Sequence, residues 1–540
     1  MMGTDLVMMG NIVTLDQRFP VFKALTVKGG LVQYVGTEEM ARKLCDEHTE
    51  VLDYGDNYVY PGMIEGHCHA SLAGPRLAFF ADLSAGKTLD DYIAILKDYV
   101  AAHPDNEFYY GAGWCASDWT PSAAILDEIC SDKPIALNSI DAHSIWLNTK
   151  GMEKFDITRT TVEEWDTSII RVDENGDPTG FISEGPCNSI INKMNAFADE
   201  DLKYALLKWQ DFALSLGITA YYEAGATARH LEIVSQLIKE GKWKIREYAG
   251  YVINERDPDY VARVREAKAM ADKYNCEYLQ VIGVKIFMDG VIEAHTAWTV
   301  DPYDDQEGYT GVKRFCDFDR VCDLYRECEK LGLNVHQHTI GDGAVKFALD
   351  CLEQVETETG NMHMRSALAH VQMVQPEDIK RLCALNAVAL VAPLWMYRDE
   401  EGIYSQTVRY IGDKRTFYCY PMNSFLKNSG IIAFHSDYPV SSAISLPRSI
   451  YMACKRSDPH HEVYHQWNPD ECITREDALA GLTAGPAYEV YQEDHLGKLQ
   501  IGYVANMTVF DKDFLHDDLE EVADSKVVAT IIDGKEVYRG

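Results

Sequence analysis

Two histidines one residue apart, His67 and His69, close a short apolar run that begins at Pro61. Side chains two apart on a strand point the same way, so this pair could offer two imidazoles to one metal ion, with Cys68 facing the opposite side. The spacing is weak evidence by itself, because 17 histidines in 540 residues give roughly half an H-x-H pair per chain by chance. A metal site therefore requires further ligands at matching structural positions.

The segment between residues 61 and 495 alternates short apolar runs with amphipathic helical stretches such as Phe318–Leu331. This alternation predicts parallel β/α architecture, and eight units in series favour a closed TIM-type (β/α)8 barrel over an open doubly wound sheet. The predicted strands are Gly62–His69, Ile218–Glu223, Ile245–Val252, Gln280–Phe287, Leu333–His338, Ser366–Val371, Ala387–Val391 and Gly430–Ser436.

Segments outside this repeat predict two additions to the barrel. The gap between the first strand and Ile218 is far longer than one crossover needs, so we predict a large insertion after strand one, at about residues 76–200. Both chain ends consist of short β-runs and turns, and Asp533-Gly534 is a strong hairpin signal. Residues 1–60 and 496–540 are therefore predicted to form one small β-sandwich domain, with residues 61–495 forming the barrel domain.

Composition narrows the class of protein. Hydrophobic residues make up 46% of the chain and charged residues 25%, which is typical of soluble globular proteins. The formal net charge of −35 repels nucleic acid and anionic membranes, so neither is expected as a partner. The 14 cysteines form no C-x-x-C pair, and no leader-like run follows Met1, so reduced thiols and a cytoplasmic location are expected.

The ends of the predicted strands carry the polar residues that could do chemistry. In a TIM barrel, functional side chains lie at the carboxyl ends of the strands. A single histidine there is more often a hydrogen-bonded core residue than a ligand, but joint placement on five strands favours a site. Nitrogen and oxygen ligands suit zinc, with manganese, nickel or iron as alternatives. The residues are His67 and His69 on strand one, Lys285 on strand four, His338 on strand five, His370 on strand six and Asp437 after strand eight.

These motifs resemble the amidohydrolase superfamily, and within it the YtcJ-like metal-dependent amidohydrolases that include N-substituted formamide deformylases. The resemblance covers essentially the whole chain, including the split β-sandwich and the insertion. It is carried by His67-Cys68-His69, Val284–Gly290, His338–Asp342, Ala369–Gln372 and Ser436–Pro439. The ligands that it implies for one or two zinc-type ions are His67, His69 and Asp437 for the more buried ion, His338 and His370 for the second, and Lys285 as a bridging carbamate formed with CO2.

The resemblance implies hydrolysis of a C–N amide bond, N-formyl or N-acyl, in a small molecule by metal-activated hydroxide. Asp437 would be the catalytic residue, taking a proton from water and passing it to the departing amine. A deaminase of the same superfamily is disfavoured, because Gly341 stands where those enzymes usually carry glutamate. A lactone or ester hydrolase would use the same metals. A non-catalytic binding protein would be expected to lack a metal position, yet all six are filled. A homodimer is compatible with such barrels.

Further residues are candidates for substrate binding. His143 matches a motif of the family's insertion, where it could bind substrate or stabilise its loop. His295 and Trp298 lie in the long loop after the fourth strand and could line the pocket. His435 stands where the family usually has glycine, and could contact substrate or act as an added ligand. Asp289 could hold the turn that follows it or contact a ligand.

Overall fold

The computed structural model describes residues 3–16, 21–116, 119–139, 144–164, 169–183, 185–194, 196–360, 363–398, 403–441, 443–460 and 466–540. The chain divides into two compact units, one made of Met1–His69 with Gln210–Gly540 and the other of Ala70–Trp209. The second unit overlaps the predicted insertion, while the predicted domain boundaries themselves stay predictions. In the described part of the chain, no helix combines the length and apolarity needed to cross a membrane.

The strands, in chain order, are β1 (Leu6–Val13), β2 (Val21–Lys28), β3 (Leu31–Gly36), β4 (Glu50–Pro61), β5 (Met63–Cys68), β6 (Phe80–Asp82), β7 (Tyr109–Trp114), β8 (Ile135–Ser139), β9 (Ser144–Leu147), β10 (Ile170–Val172), β11 (Pro178–Ser183), β12 (Ile218–Ala226), β13 (Arg246–Val252), β14 (Leu279–Phe287), β15 (Asn334–Thr339), β16 (Ala367–His370), β17 (Val388–Val391), β18 (Ile431–Phe434), β19 (Met507–Phe510), β20 (Val527–Ile532) and β21 (Lys535–Arg539).

The α-helices are α1 (Glu38–Lys43), α2 (Ala70–Phe79), α3 (Leu89–Ala102), α4 (Ala123–Asp127), α5 (Thr149–Lys154), α6 (Arg159–Glu164), α7 (Gly185–Met194), α8 (Asp199–Ser215), α9 (Ala228–Lys239), α10 (Tyr260–Tyr274), α11 (Phe318–Leu331), α12 (Asp342–Thr359), α13 (Pro376–Ala384), α14 (Ile403–Phe417), α15 (Met422–Lys427), α16 (Leu446–Lys455), α17 (Arg475–Leu482), α18 (Ala484–Glu489) and α19 (Leu519–Ala523).

Eight parallel strands of the first unit form one sheet in the order β5, β12, β13, β14, β15, β16, β17 and β18. At the carboxyl ends of the two outer strands, the backbone N–H of Asp437 donates to the carbonyl of His67 at 3.0 Å, and that of His69 donates to the carbonyl of Tyr438 at 2.8 Å. These bonds bring the sheet ends together, and the predicted TIM-type barrel is confirmed. Each of the eight predicted strands overlaps an observed one.

A glycine permits the close approach of β5 and β18. A Cβ atom on Gly66 would lie 2.7 Å from the carbonyl oxygen of Phe434 and 3.1 Å from a methyl carbon of Leu390. A carbonyl in a strand cannot move aside at little cost, so a side chain here would separate the two strands. Gly66 therefore helps to hold His67 beside Asp437.

Local sequence explains the barrel elements. The strand β17 is a continuous apolar run that is buried along its whole length, as expected for a parallel strand covered on both faces. The helix α11 begins at the cap Asp317, whose side chain accepts a hydrogen bond from the N–H of Arg320 at 3.2 Å. It ends at Gly332, which adopts the left-handed conformation with φ 68°.

Both chain ends share one seven-stranded sheet in the order β21, β20, β19, β4, β1, β2 and β3. The strand β1 runs parallel to β4, and β4 runs antiparallel to β19, so β4 joins the amino-terminal strands to the carboxyl-terminal ones. The predicted hairpin at Asp533 and Gly534 is confirmed: both have positive φ, and β20 pairs with β21. One buried cluster, which includes Met8, Val59 and Met507, packs on this sheet.

The second unit has its own sheet, in the order β10, β11, β9, β8, β7 and β6. Its helix α3 starts with a capping box in which Thr88 and Asp91 bond each other's backbone N–H groups. Aromatic rings fill much of its core, with Trp114 and Trp146 at 5.7 Å between ring centroids. A sheet, capped helices and a core of this kind are what an independently packed unit requires.

Candidate metal centre

The barrel closure places two predicted ligands against one carboxylate. Nε2 of His67 lies 3.0 Å from Oδ1 of Asp437, and Nε2 of His69 lies 3.3 Å from the same oxygen. The imidazole rings of the two histidines are 5.2 Å apart, as expected for side chains on one face of the chain. Cys68 points away, with its sulfur 3.7 Å from the backbone carbonyl of Tyr222.

His370 completes a compact group of donors. One possible ligand atom from each of His67, His370 and Asp437 lies within 4.8 Å of the others, and all three residues are buried. His370 and Asp437 have φ values of 79° and 60°, in the left-handed region that non-glycine residues rarely adopt. Strained backbone of this kind is often concentrated at functional sites, where it aims a side chain.

His338 lies beside this group and is held by a carboxylate. Its ring centroid is 4.6 Å from that of His370, and its Nδ1 is 2.9 Å from Oδ1 of Asp289. Asp289 also accepts backbone N–H bonds from Ile340 at 3.2 Å, Gly341 at 2.8 Å and Trp298 at 3.0 Å. A carboxylate bonded to one ring nitrogen fixes the orientation of the ring and leaves the other nitrogen available to bind a metal ion. Asp289 therefore orients His338.

Lys285 is fully buried in β14, in register with His336 on the neighbouring strand. Its Nζ lies 4.8 Å from the ring centroid of Phe287, and no hydrogen-bond partner for it occurs among the described residues. Burial lowers the pKa of Lys285 to about 7, although Asp437 and Glu489 favour its charged form. Much of this amine is therefore neutral near physiological pH.

Several donor atoms of the centre are buried without a hydrogen bond to any described residue. They include Nε2 of His67 and Oδ1 of Asp437, which are close but not aligned for a hydrogen bond, and Nδ1 of His370. Buried polar atoms normally have partners because desolvation is costly. Imidazole nitrogens and a carboxylate oxygen converging in this way fit a divalent ion such as zinc.

The charge states of the donors agree with this fit. Burial, together with nearby Lys285, lowers the pKa of His67 well below its ordinary value, and burial does the same for His370. Both imidazoles are therefore neutral, as metal binding requires. Burial by itself would raise the pKa of Asp437, but the nearby imidazole of His69 holds it well below the ordinary value, so this carboxylate is ionised.

His435 lies inside the centre. It is 3% exposed, and its ring centroid is 4.9 Å from His370 and 5.2 Å from His67. Neither ring nitrogen has a hydrogen-bond partner in the described part of the chain. Burial lowers its pKa to about 4, which keeps the ring neutral. Trp395 stacks on His370 at 5.5 Å and meets His435 edge to face at 5.8 Å, so aromatic rings form one wall of the centre.

The observed side-chain contacts of the other predicted substrate-binding residues are with residues outside the predicted metal ligands. Nε2 of His295 pairs with Asp305 at 2.9 Å, and its ring lies 4.1 Å from that of Tyr410. The ring of Trp298 packs on Phe347 at 5.1 Å. His143 lies outside the described residues. For these three residues, substrate binding stays a prediction.

From the sequence alone, no role was predicted for two buried residues behind His67, namely His336 and Glu489. Nδ1 of His67 lies 2.6 Å from Nε2 of His336, whose Nδ1 lies 3.1 Å from Oε1 of Glu489. The spacing of His336 and His338 on one strand could have indicated a shared face. Glu489 could have been noticed as a single acidic residue in the apolar stretch around Ala487, since a buried acid often has a specific partner.

Glu65 was also missed, and it links the two strands that close the barrel. Its Oε1 accepts backbone N–H bonds from His67 at 3.2 Å and from Ser436 at 2.8 Å. Burial raises the pKa of Glu65 to about 8, partly offset by these bonds. Glu65 therefore holds the backbone at two of the predicted ligands, because it bonds the N–H of His67 and the N–H that precedes Asp437.

The sequence matches a family model described as the amidohydrolase family over residues 50–538. The chain is 25% identical to YtcJ of Bacillus subtilis, covering 98% of each protein. It is also 25% identical to the N-substituted formamide deformylase of Arthrobacter pascens, covering 97% of this chain and 96% of the relative.

Among solved structures, a metal-dependent hydrolase from Pyrococcus horikoshii superposes with a TM-score of 0.76 at 23% identity, covering 95% of this chain and 99% of the other. At that identity the likeness shows a shared fold. The family match extends over far more than half of the sequence and includes each of the predicted ligands described above. The chain therefore belongs to the amidohydrolase family.

Proposed function

We propose that this protein is a metal-dependent hydrolase that cleaves the C–N amide bond of a small molecule, with N-formyl and N-acyl amines as the substrate class. One observation carries the proposal: His67, His370 and Asp437 converge within 4.8 Å, buried, at the carboxyl end of the barrel. The named activity of the formamide deformylase, a relative over nearly the full length, supports the choice of bond.

The donors suffice for one or two ions. We propose that His67, His69 and Asp437 hold one ion, and that His338 and His370 hold a second. When bound, a divalent ion of this kind activates water near neutral pH and polarises a carbonyl group. The protein contributes imidazoles oriented by hydrogen bonds, such as the one between His338 and Asp289 at 2.9 Å.

Asp437 is the residue that we propose to move the proton. As an ionised carboxylate it can accept a proton from the attacking water and then donate it to the departing amine. The bond between Asp437 N–H and the carbonyl of His67 fixes its backbone at the strand end. His435, neutral and unpaired among the described residues, stands next to these ligands and is the proposed contact for the substrate.

Lys285 is proposed as the residue that would carry a carbamate, which would supply a negatively charged oxygen ligand to the ions. Its Nζ is buried and has no partner among the described residues, so a cationic form would be poorly compensated there. The neutral amine would attack the carbon of CO2, forming an N–C bond as one C=O π bond opens, and the released amine proton would pass to water, which leaves a carbamate anion. An anion in this position would help neutralise two dications.

Metal-stripped protein reloaded with zinc tests the activity. We expect amine release from N-formyl, N-acetyl or N-acyl amino compounds, and none from the stripped protein. Turnover of esters or lactones without any amide, or ammonia release from aminated heterocycles alone, would contradict the proposed bond. Asp437→Asn should abolish turnover. The matched variant Asp378→Asn, which alters a buried carboxylate paired with Arg381 at 2.6 Å, should retain it.

A further inference from the structure

Behind the first metal ligand, three ionisable side chains form a continuous buried row. Nδ1 of His67 meets Nε2 of His336 at 2.6 Å, and Nδ1 of His336 meets Oε1 of Glu489 at 3.1 Å. All three residues have an exposed fraction near zero. The row extends inward from the donor cluster, and none of the proposed catalytic steps uses His336 or Glu489.

Elements from different parts of the barrel hold the row in place. His336 stands on β15, and the ring of Tyr222 on β12 stacks against it at 4.3 Å with an interplanar angle of 21°. Glu489 ends α18, whose Ala487 packs with Ile64 and other residues near the amino ends of the strands. A Cβ atom on Gly66 would lie 3.6 Å from Oε2 of Glu489, so the carboxyl group lies against β5.

The hydrogen-bond donors in the row can be assigned from one end. A metal ion requires a lone pair on Nε2 of His67, which places the proton on Nδ1. Nδ1–H then donates to Nε2 of His336, whose own proton must lie on Nδ1. That N–H donates to Oε1 of Glu489, which accepts in either protonation state. Each atom therefore has one role, and the assignment does not depend on any group changing its charge.

We infer that His336 and Glu489 are positioning residues that fix the tautomer of His67 and thereby leave its Nε2 free for the ion. This inference rests on the proposed metal-dependent function. The opposite arrangement, with Nε2–H of His336 donating to Nδ1 of His67, would put the proton of His67 on Nε2, facing Asp437 at 3.0 Å. That tautomer cannot bind metal through Nε2. We call the row of Glu489, His336 and His67 the relay; its hydrogen bonds select the tautomer of His67 that can bind the ion through Nε2.

Zinc affinity of the full-length protein, measured by competition with a chelator, tests the relay. His336→Phe keeps an aromatic ring against Tyr222 but removes both nitrogens. We expect the zinc Kd to rise about 10-fold to 100-fold, as for other partners of metal-bound histidines. His336→Gln provides a carbonyl to accept from His67 and an amide to donate to Glu489, so it should recover most of the affinity.

The matched control is His230→Phe. His230 is another buried histidine bonded to a carboxylate, with Nε2 2.7 Å from Oε1 of Glu247. Its loss should leave the zinc Kd unchanged. An unchanged Kd in His336→Phe, an equal loss in His336→Gln, or an equal loss in His230→Phe would overturn the relay. If the wild-type protein itself bound no zinc, the proposed function would fail first, which distinguishes the two failures.

Neutron diffraction from crystals of the zinc-loaded wild-type protein offers a second test that needs no variant. After exchange into deuterated buffer, we expect deuterium on Nδ1 of both His67 and His336. Deuterium on Nε2 of His336, directed at His67, would overturn the assignment. This measurement remains decisive even if the phenylalanine variant does not fold.

Discussion

Replacing Asp289 with asparagine should weaken the hydrogen bonds that orient the imidazole of His338. The Asp289 carboxylate is 1% exposed and accepts four hydrogen bonds, two on each oxygen. Asparagine has one carbonyl oxygen, so its amide group must face two N–H donors. Either the backbone N–H groups of Gly341 and Trp298 lose their acceptor, or His338 and Ile340 do. The second arrangement also invites protonation of the metal-binding nitrogen of His338.

The magnitude follows from those bonds. Hydrogen bonds to an ionised acceptor contribute about 1.5–3 kcal/mol each, so losing two costs about 3–6 kcal/mol of local stability. The affinity for the ion held by His338 should fall about 10-fold to 100-fold, which is about 1.4–2.7 kcal/mol. The loss of local stability should therefore be larger than the loss of metal-binding free energy.

Hydrogen exchange and zinc titration measure the two effects. In Asp289→Asn, backbone amides around Trp298 and Ile340 should exchange faster, and the weaker zinc site should lose affinity. Asp342→Asn is the control, because Asp342 is also buried and accepts the N–H of Val300 at 2.8 Å without contacting His338. Unchanged exchange and unchanged affinity in Asp289→Asn would refute the role given to Asp289.

Three further predictions concern other residues. Lys285→Ala should lower the bound metal per chain, and a short carboxylic acid such as acetate should restore part of it; no response to the acid would contradict a bridging anion. Burial would lower the pKa of His230, but the charge and hydrogen bond of Glu247 outweigh it and raise this pKa to about 9. Protonated His230 therefore contributes its full stability to the fold below pH 6.5, and this contribution is lost as the pH rises towards 9. In urea titrations, the free energy of unfolding of the wild type should fall by about 3 kcal/mol over that pH range, and that of His230→Gln should not. Parallel pH profiles for the two proteins would refute this. Gly66→Ala should destabilise the barrel by about 1–3 kcal/mol, because its Cβ would lie 2.7 Å from the Phe434 carbonyl; an unchanged urea midpoint would show that the strands can separate freely.

The barrel was predictable because its strands are strongly apolar and its helices are amphipathic. Buried parallel strands such as β17 appear as continuous apolar runs, and α11 begins and ends at the residues predicted from its periodicity. The strand β4, which joins the two chain ends in one sheet, was not predicted. Its exposed and buried residues follow no simple alternation, so its place depends on pairing with β1 and β19.

The site was only partly predictable. His67, His370 and Asp437 follow from their positions at strand ends, because parallel strands bring their carboxyl ends to one rim. The partners that orient them do not. Glu489 lies 153 residues from His336 in the chain, and only the packing of α18 brings the two together. Asp289 precedes a turn, and its contact with His338 depends on the path of the loop that follows.

Bound metal in protein prepared without chelator tests the central proposal most directly. Inductively coupled plasma mass spectrometry should find between about one and two equivalents of a divalent transition metal per chain, most simply zinc, because the activation of water depends on it. Fewer than about one equivalent, in protein shown to be folded, would contradict a metal centre built on His67, His370 and Asp437.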